Sequence, residues 1–277
     1  MVNGSEERHI IISDRYKFVF IHIPKCAGTT VRNLLGQFDD TEGKYKSRVH
    51  HHPELGRLDY THLPLEVMRR VCPEDLEKVR NYHSFTLIRD PKTRFMSALS
   101  QRLKMYSTRE LAQRDRDDVN RLARQVVETL QEPGATHRPE FIHFARQSEF
   151  IFCDGEQLVK AIYPTSRVGD VIQEVSHLTG EDLGPVGNDN TTMVFRRDAF
   201  RVLAVAGKWV GERTLGPERT RSARKALRQI LMKPLHSSPE IYMLSDDVVD
   251  FVQDFYAQDF ELYAKVTGTF EPPSARP

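Results

Sequence analysis

The chain of 277 residues is long enough to bury one substantial hydrophobic core, and a single α/β domain over residues 1–277 is the simplest expectation. Its formal net charge of +1 gives no bulk attraction to nucleic acid, so we expect no nucleic-acid partner. Charged residues make up 29% of the chain, which favours a soluble, helix-rich surface, and no stretch has the apolar length needed to cross a bilayer.

The amino-terminal residues and the cysteines bear on location. The apolar residues 10–12 are followed at once by Ser-Asp-Arg, which is too short for a signal peptide and predicts a strand pairing with the next one. Three cysteines at wide spacing form neither a metal motif nor a disulfide framework, so we expect no metal. Reduced thiols favour a reducing compartment, and the expected location is cytoplasmic. Oligomeric state is left open.

Residues 18–30 predict a strand, a loop and the start of a helix. Residues 18–23 are apolar and β-prone, and Pro24 ends the strand because it has no amide hydrogen. Gly28 allows close approach of the backbone to a ligand, and the residues that suit a helix start are Thr29 and Thr30. Amide groups at a helix start favour an anion, and Lys25 lies at the same place. The segment therefore predicts a bound phosphate or sulfate.

Two other interpretations of this segment stay open. It could be an ordinary strand–turn–helix unit in which Lys25 is merely solvated. A P-loop-like kinase would place its lysine after the second glycine and add a magnesium-binding aspartate, and neither feature is evident.

Residues 84–97 predict the same succession of a strand, a loop and a helix start. Residues 84–88 predict a buried strand, Asp90 suits the helix cap and Pro91 the first turn. Arg89 falls at the carboxyl end of the strand, where open α/β sheets bind ligands, and Ser97 follows on the helix. The inward stripe is expected at Met96, Leu99 and Leu103, and a second face at Arg94, Ser97 and Gln101. Alternatively, Arg89 or Arg94 pairs with Asp90 and Ser97 is a surface hydroxyl.

Together, these motifs resemble those of sulfotransferases that use 3′-phosphoadenylyl sulfate (PAPS). Residues 22–30, the first motif, resemble the 5′-phosphosulfate loop, and residues 89–97, the second motif, resemble the 3′-phosphate motif. The most similar type is the carbohydrate group that includes heparan sulfate 2-O-sulfotransferase and its bacterial relatives. Weaker likenesses lie at residues 143–147, 167–169, 190–191 and 256–263. The resemblance implies a P-loop-like three-layer fold, with a central, mostly parallel sheet flanked by helices.

The resemblance also implies an enzyme that moves a sulfuryl group from PAPS to a hydroxyl or amine, without a metal. The donor-binding residues that it implies are Lys25, Cys26, Ala27, Gly28, Thr29, Thr30, Arg89 and Ser97. Cys26 departs from the family, which often has threonine there, so a side-chain hydrogen bond at this position is in doubt. A binding module that kept the nucleotide site without catalysis is a further alternative.

Two residues are predicted to carry the chemistry. Lys25 is expected to offset the charge that builds on the leaving phosphate. His62 is the candidate base, since the family carries a histidine in a similar context between the motifs. A packed or surface histidine is the alternative, and the consecutive residues 50–52 are rivals that we expect in a loop. His22 is expected to shape the first motif rather than to react.

The remaining segments bear on the acceptor. A basic helix is predicted over residues 218–235, with Arg219, Arg221, Arg224, Lys225 and Arg228. It would attract an acidic acceptor, or it is a solvated helix face. A carbohydrate, a lipid head group or an amine all remain open. We also expect a charged helix in residues 109–130, strands at 149–153 and 166–168, a stacking or core role for Trp209, and a loose tail over residues 268–277.

Overall fold

A computed structural model describes residues 10–45, 49–106, 116–184, 193–195, 232–234 and 244–269. In chain order, its first half contains β1 (Ile11–Ser13), β2 (Phe18–Ile21), α1 (Gly28–Leu35), β3 (Val49–His52), β4 (Gly56–Asp59), α2 (Leu65–Val71), α3 (Pro73–Asn81), β5 (His83–Ile88) and α4 (Pro91–Tyr106). The second half contains α5 (Arg116–Leu130), β6 (Phe152–Cys153), β7 (Glu156–Gln157), β8 (Ala161–Pro164), α6 (Val168–Thr179), β9 (Met193–Phe195), β10 (Met232–Pro234), α7 (Asp246–Phe255) and α8 (Ala257–Thr267).

The central sheet has four strands in the order β1-β2-β5-β8. β1 runs antiparallel to β2, whereas β2 and β5 are parallel, and so are β5 and β8. The register pairs Ile21 with Thr86, so both strands end at the same edge of the sheet. This mixed sheet with flanking helices confirms the α/β class, and the expected strands at residues 10–12, 18–23 and 84–88 are present.

One hydrophobic cluster surrounds this sheet. All four residues of β2 and the last five of β5 are buried, as expected of strands covered on both faces. Val31 and Leu35 of α1 join this cluster, and the stripe continues to Phe38 through the 3-10 turn Gly36–Phe38. One apolar face thus extends past the end of α1, which lies at Leu35.

A second hydrophobic cluster joins α4, α5 and α7. Met96, Leu99 and Leu103 of α4 are buried in it, as their spacing predicts. α5 contributes Val119, Ala123 and Val126, and α7 contributes Val248 and Val252. The helix expected in residues 109–130 is thus confirmed from Arg116 onward, and residues 107–115 lie outside the described part.

Four local predictions are wrong. The strand expected at residues 166–168 lies earlier, in β8, because Pro164 ends the ladder and a 3-10 turn at Thr165–Arg167 leads into α6. The histidines at residues 50–52 belong to a hairpin strand paired with β4, not to a loop. Of residues 149–153 only Phe152–Cys153 is a strand, since Ser148–Phe150 is a 3-10 turn. Residues 232–234, expected in the basic helix, pair as a strand with β9.

Contacts divide the chain into two compact units, residues 1–187 with 239–277, and residues 188–238. The described part of the second unit is the antiparallel pair β9–β10. The single domain expected over residues 1–277 stays a prediction. Within the described residues, no helix has the length and apolar character to span a membrane.

Candidate functional site

The sheet brings both sequence motifs to one edge. The first motif follows the carboxyl end of β2, and Arg89 follows the carboxyl end of β5, its parallel neighbour. Parallel strands end at the same side of a sheet, so the loops that follow them are neighbours. Both motifs lie in the first compact unit.

The first motif makes a tight turn with uncommon backbone geometry. The amide of Cys26 donates to the carbonyl of Ile23 at 3.3 Å. Lys25 and Ala27 have φ values of 68° and 54°, in the left-handed region that side chains other than glycine rarely adopt. Such strain concentrates at binding sites, and alternating right- and left-handed residues turn amide hydrogens toward one point. α1 begins at Gly28, directly after this turn.

Gly28 lies directly against an imidazole ring. A Cβ atom at this position would come 1.7 Å from Nε2 of His22, so only glycine fits. The ring of His22 is buried, and it stacks with Phe20 at a centroid distance of 6.2 Å. His22 therefore supports the turn from beneath, as the sequence predicts.

Two histidines from other segments of the chain lie near His22 of the first motif. The ring of His62 lies 4.9 Å from that of His22 and 5.5 Å from that of His143, centroid to centroid. Nδ1 of His62 is 3.5 Å from the carbonyl oxygen of His22. His62 is buried and His143 is half-buried. The structure thus brings His62 to the first motif, whereas the ring of His50 lies 5.5 Å from that of Tyr60, centroid to centroid.

The second motif begins with a capped helix. An oxygen of Asp90 accepts the amide of Thr93 at 2.8 Å, which confirms Asp90 as the cap of α4. Nε of Arg89 donates to the hydroxyl of Thr93 at 3.2 Å, and Arg89 is half-buried. Ser97 is partly exposed on the same helix. Arg89 is therefore positioned by its own helix.

Arg94 has a different role from the two predicted for it. Its side chain is fully buried, and it donates to the carbonyl oxygens of His143 at 3.1 Å and Ala145 at 2.6 Å. Arg94 is therefore not on the partly exposed face that carries Ser97. It contacts Asp90 through the backbone, because its amide donates to the carbonyl of Asp90, and not through the predicted side-chain pair. Residues 143–145 cover this face of α4, and spacing within one helix could not reveal that cover.

A buried carboxylate fixes the next residues of this segment. Asp259 of α8 accepts the amides of Gln147 at 2.7 Å and Ser148 at 2.9 Å, and it lies 3.9 Å from the guanidinium of Arg94. Burial raises the pKa of Asp259, while Arg94 and the two amides act in the opposite direction. Helices α4 and α8 thus hold residues 143–148 in place.

Gln147 joins the two motifs, a role that the likeness at residues 143–147 did not predict. Its side chain is buried, and its Oε1 accepts both the thiol of Cys26 at 3.2 Å and the amide of Arg89 at 2.9 Å. Its Nε2 donates to the carbonyl of Arg89 at 2.9 Å. Cys26 therefore does make a side-chain hydrogen bond, although it points into the protein, and burial raises the pKa of its thiol to about 12.

Two groups of residues have metal-ligand chemistry within the described part of the chain: Glu66 with Cys153 and Asp154, and Cys72 with Glu74 and Asp75. Each already contains a basic side chain. Arg69 lies 2.8 Å from Glu66 and 3.3 Å from Asp154, and Lys44 lies 2.8 Å from Glu74 and 2.7 Å from Asp75. These groups are therefore ion-pair networks.

Several predicted features fall outside the described residues. These are the polar residues 190–191, Trp209, the basic residues from 218 to 231 and the tail from residue 270. The side chains of Thr29 and Thr30 are likewise outside, although both residues belong to α1.

Comparison with known proteins identifies the family of the chain. Carbohydrate sulfotransferase 14 of the mouse, Mus musculus, is 30% identical over 109 residues, and the alignment covers 39% of this chain and 26% of the relative. No solved structure shows significant similarity to the chain. The model described as "Sulfotransferase family" matches residues 8–180, which include both motifs, His62 and Gln147. Since this match covers more than half of the 277 residues, the chain belongs to the sulfotransferase family.

Proposed function

We propose that this protein transfers a sulfuryl group from PAPS to a hydroxyl or amine, and that the acceptor is a carbohydrate. One observation carries the donor assignment: the two motifs follow neighbouring parallel strands and are tied to each other through Gln147. A nucleotide with phosphate groups at two ends suits two anion sites of this kind. The carbohydrate class is supported by the named relative, of which the alignment covers 26%.

The first motif fits the sulfated end of the donor. Its backbone passes so close to His22 that position 28 has no space for a side chain, and two neighbouring residues adopt left-handed geometry. The first amides of α1 follow at once, and helix starts favour anions. We propose that the sulfated end of the donor is bound by Lys25, Ala27, Gly28, Thr29 and Thr30. Cys26 would hold the loop in place through its hydrogen bond to Gln147.

PAPS supplies an activated sulfuryl group whose departure leaves negative charge on a phosphate. Lys25 is the residue that would meet this charge, and in its half-buried position the interaction is screened less than in open water. Arg89 and Ser97 would hold the phosphate on the ribose by charge-assisted hydrogen bonds.

His62 is proposed as the group that takes the acceptor's proton. Its burial beside the first motif supports this role, because the sulfated end of the donor would bind at that motif. Contacts with His22 and His143 on two sides restrict the ring, which is what a general base requires.

The proposal is tested by incubating the purified protein with sulfur-labelled PAPS and a panel of acceptors that contains neutral and acidic carbohydrates, lipid head groups, simple alcohols and amines. Mass spectrometry should find a sulfonate added to a carbohydrate. Parallel reactions with ATP and magnesium test the kinase alternative. Binding of 3′,5′-bisphosphoadenosine without transfer to any acceptor, and without slow hydrolysis of PAPS, would favour a binding module instead.

A further inference from the structure

We propose that the side chain of Gln147 sets the spacing between the two anion-binding motifs, and so selects nucleotides that carry phosphate at both ends. Gln147 is here a positioning residue, since it contacts the motifs rather than a ligand. This inference rests on the proposed function and adds to it a determinant of donor specificity outside both motifs.

The backbone of Arg89 lies just beyond the end of the sheet. β5 ends at Ile88, and its pairing with β8 ends there too, so the ladder supplies no partner to the next residue. The amide and carbonyl groups of Arg89 are part-buried, and hydrogen bonds to them stabilise the structure because unpaired backbone groups away from water are costly. Oε1 and Nε2 of Gln147 pair with both of these groups at 2.9 Å. The side chain thus replaces a neighbouring strand for one residue.

Gln147 also contacts the first motif. The same Oε1 atom accepts the thiol of Cys26 at 3.2 Å. Cys26 lies between Lys25 and Ala27, the two residues of the turn with left-handed backbone geometry. A single buried oxygen therefore contacts both motifs, and any shift of one relative to the other would stretch or break one of these bonds.

Gln147 is itself held in place by burial and by a backbone hydrogen bond. Its backbone amide donates to Asp259 at 2.7 Å, and its side chain is 1% exposed. The amide orientation is determined as well, because the donor and acceptor of Arg89 require opposite ends of the Gln147 amide. A fixed side chain with three polar partners can transmit a defined spacing, whereas a mobile one could not.

The matched variant is Gln147→Met, which keeps length and removes all three hydrogen bonds. Calorimetric titration should show that the affinity for 3′,5′-bisphosphoadenosine falls roughly tenfold or more, since the backbone of Arg89 loses the side chain that holds it at a fixed distance from Cys26. The affinity for 5′-AMP should fall at most about threefold, because a ligand of one motif does not depend on the spacing.

Gln147→Glu provides a second variant should the first fail to fold. A protonated carboxyl group can donate to the carbonyl of Arg89, whereas a carboxylate repels it. Its loss of bisphosphate affinity relative to wild type should therefore be large at pH 8 and smaller at pH 5.5, a pH signature that loss of packing alone would not produce.

Asn120→Leu is the control. Asn120 is also a buried amide that joins two segments, accepting from the amide of Ser245 at 2.7 Å and donating to the carbonyl of Arg116 at 3.0 Å. Its loss should lower stability without changing the ratio of the two nucleotide affinities.

Hydrogen exchange in the absence of nucleotide tests the spacing role of Gln147 independently of the proposed sulfotransferase function. In Gln147→Met, peptides covering residues 22–30 and 86–92 should both exchange faster than in wild type. Unchanged exchange together with an unchanged affinity ratio would overturn the spacing role, even in an active sulfotransferase. If the wild type bound neither nucleotide, the proposed function would fail, and the exchange result alone would support or overturn the link between the motifs.

Discussion

Lys25 combines two properties at the scale of a single residue. Its φ of 68° holds the backbone in a left-handed turn, and its side chain is half-buried beside the start of α1. Under the proposed function, a cation in such a position would act where charge develops in the reaction, and not only where the ligand binds.

Lys25→Ala should therefore lower kcat for sulfuryl transfer by about a hundredfold, a typical cost of removing one stabilising group at a developing charge. Lys265→Ala is the control, because Lys265 is exposed on α8. Circular dichroism should show that both variants keep the fold. Full turnover in the Lys25 variant would remove this lysine from the mechanism.

His62 is the second residue whose role can be isolated. A base must be neutral to accept a proton, so the rate should fall as the pH drops through the pKa of the base. In His62→Asn the rate should be low, and this decline toward acid pH should disappear. We expect His50→Asn, on the exposed strand β3, to keep the wild-type profile. The reverse pattern, measured as kcat/KM against pH, would transfer the role to His50.

At the scale of elements, the passage from β2 to α1 depends on the contact between Gly28 and His22. The helix begins at residue 28, so the close approach fixes where the first amides of α1 lie relative to the sheet. The conformation of Gly28 does not require glycine, since its φ is not positive, and space alone excludes a side chain.

Gly28→Ala should accordingly lower the free energy of unfolding by roughly 1–3 kcal/mol, the usual cost of overpacking. His22→Ala removes the clashing ring, so the double variant should be more stable than the sum of the two single losses predicts. Urea denaturation of the four proteins measures this coupling. Strict additivity would show that the two side chains do not compete for one space.

At the scale of the whole first unit, Arg94 and Asp259 connect helices α4 and α8 with residues 143–148. The guanidinium also lies 5.2 Å from the ring centre of Tyr256. The second hydrophobic cluster and the candidate site are therefore linked through one buried pair.

Arg94→Met should destabilise the protein by about 3–5 kcal/mol, because it leaves a buried carboxylate without its cation. Arg69→Met, which breaks exposed ion pairs, should leave the midpoint of unfolding nearly unchanged. Guanidinium denaturation compares the two variants. Equal midpoints would mean that the backbone amides of Gln147 and Ser148 suffice to hold Asp259.

Local patterns predict much of the sheet and both motifs, because strands, helix starts and caps are encoded by neighbouring residues. The strand of β5 and the cap at Asp90 are examples. The burial of Arg94 and the bonds of Gln147 could not be predicted, since both depend on segments more than 45 residues away, with separations of 49 and 58. The strand at β8 was missed because a proline at its end obscured a short run of only four residues.

The buried thiol of Cys26 has a practical consequence. Only thiolates react readily with alkylating reagents, and a pKa near 12 together with a closed environment leaves this sulfur inert while the turn stays folded. The rate at which such a reagent labels Cys26 then measures how often the turn opens transiently. Because this sulfur belongs to the native sequence, alkylation of Cys26, located by mass spectrometry, reports on that opening without an added substitution.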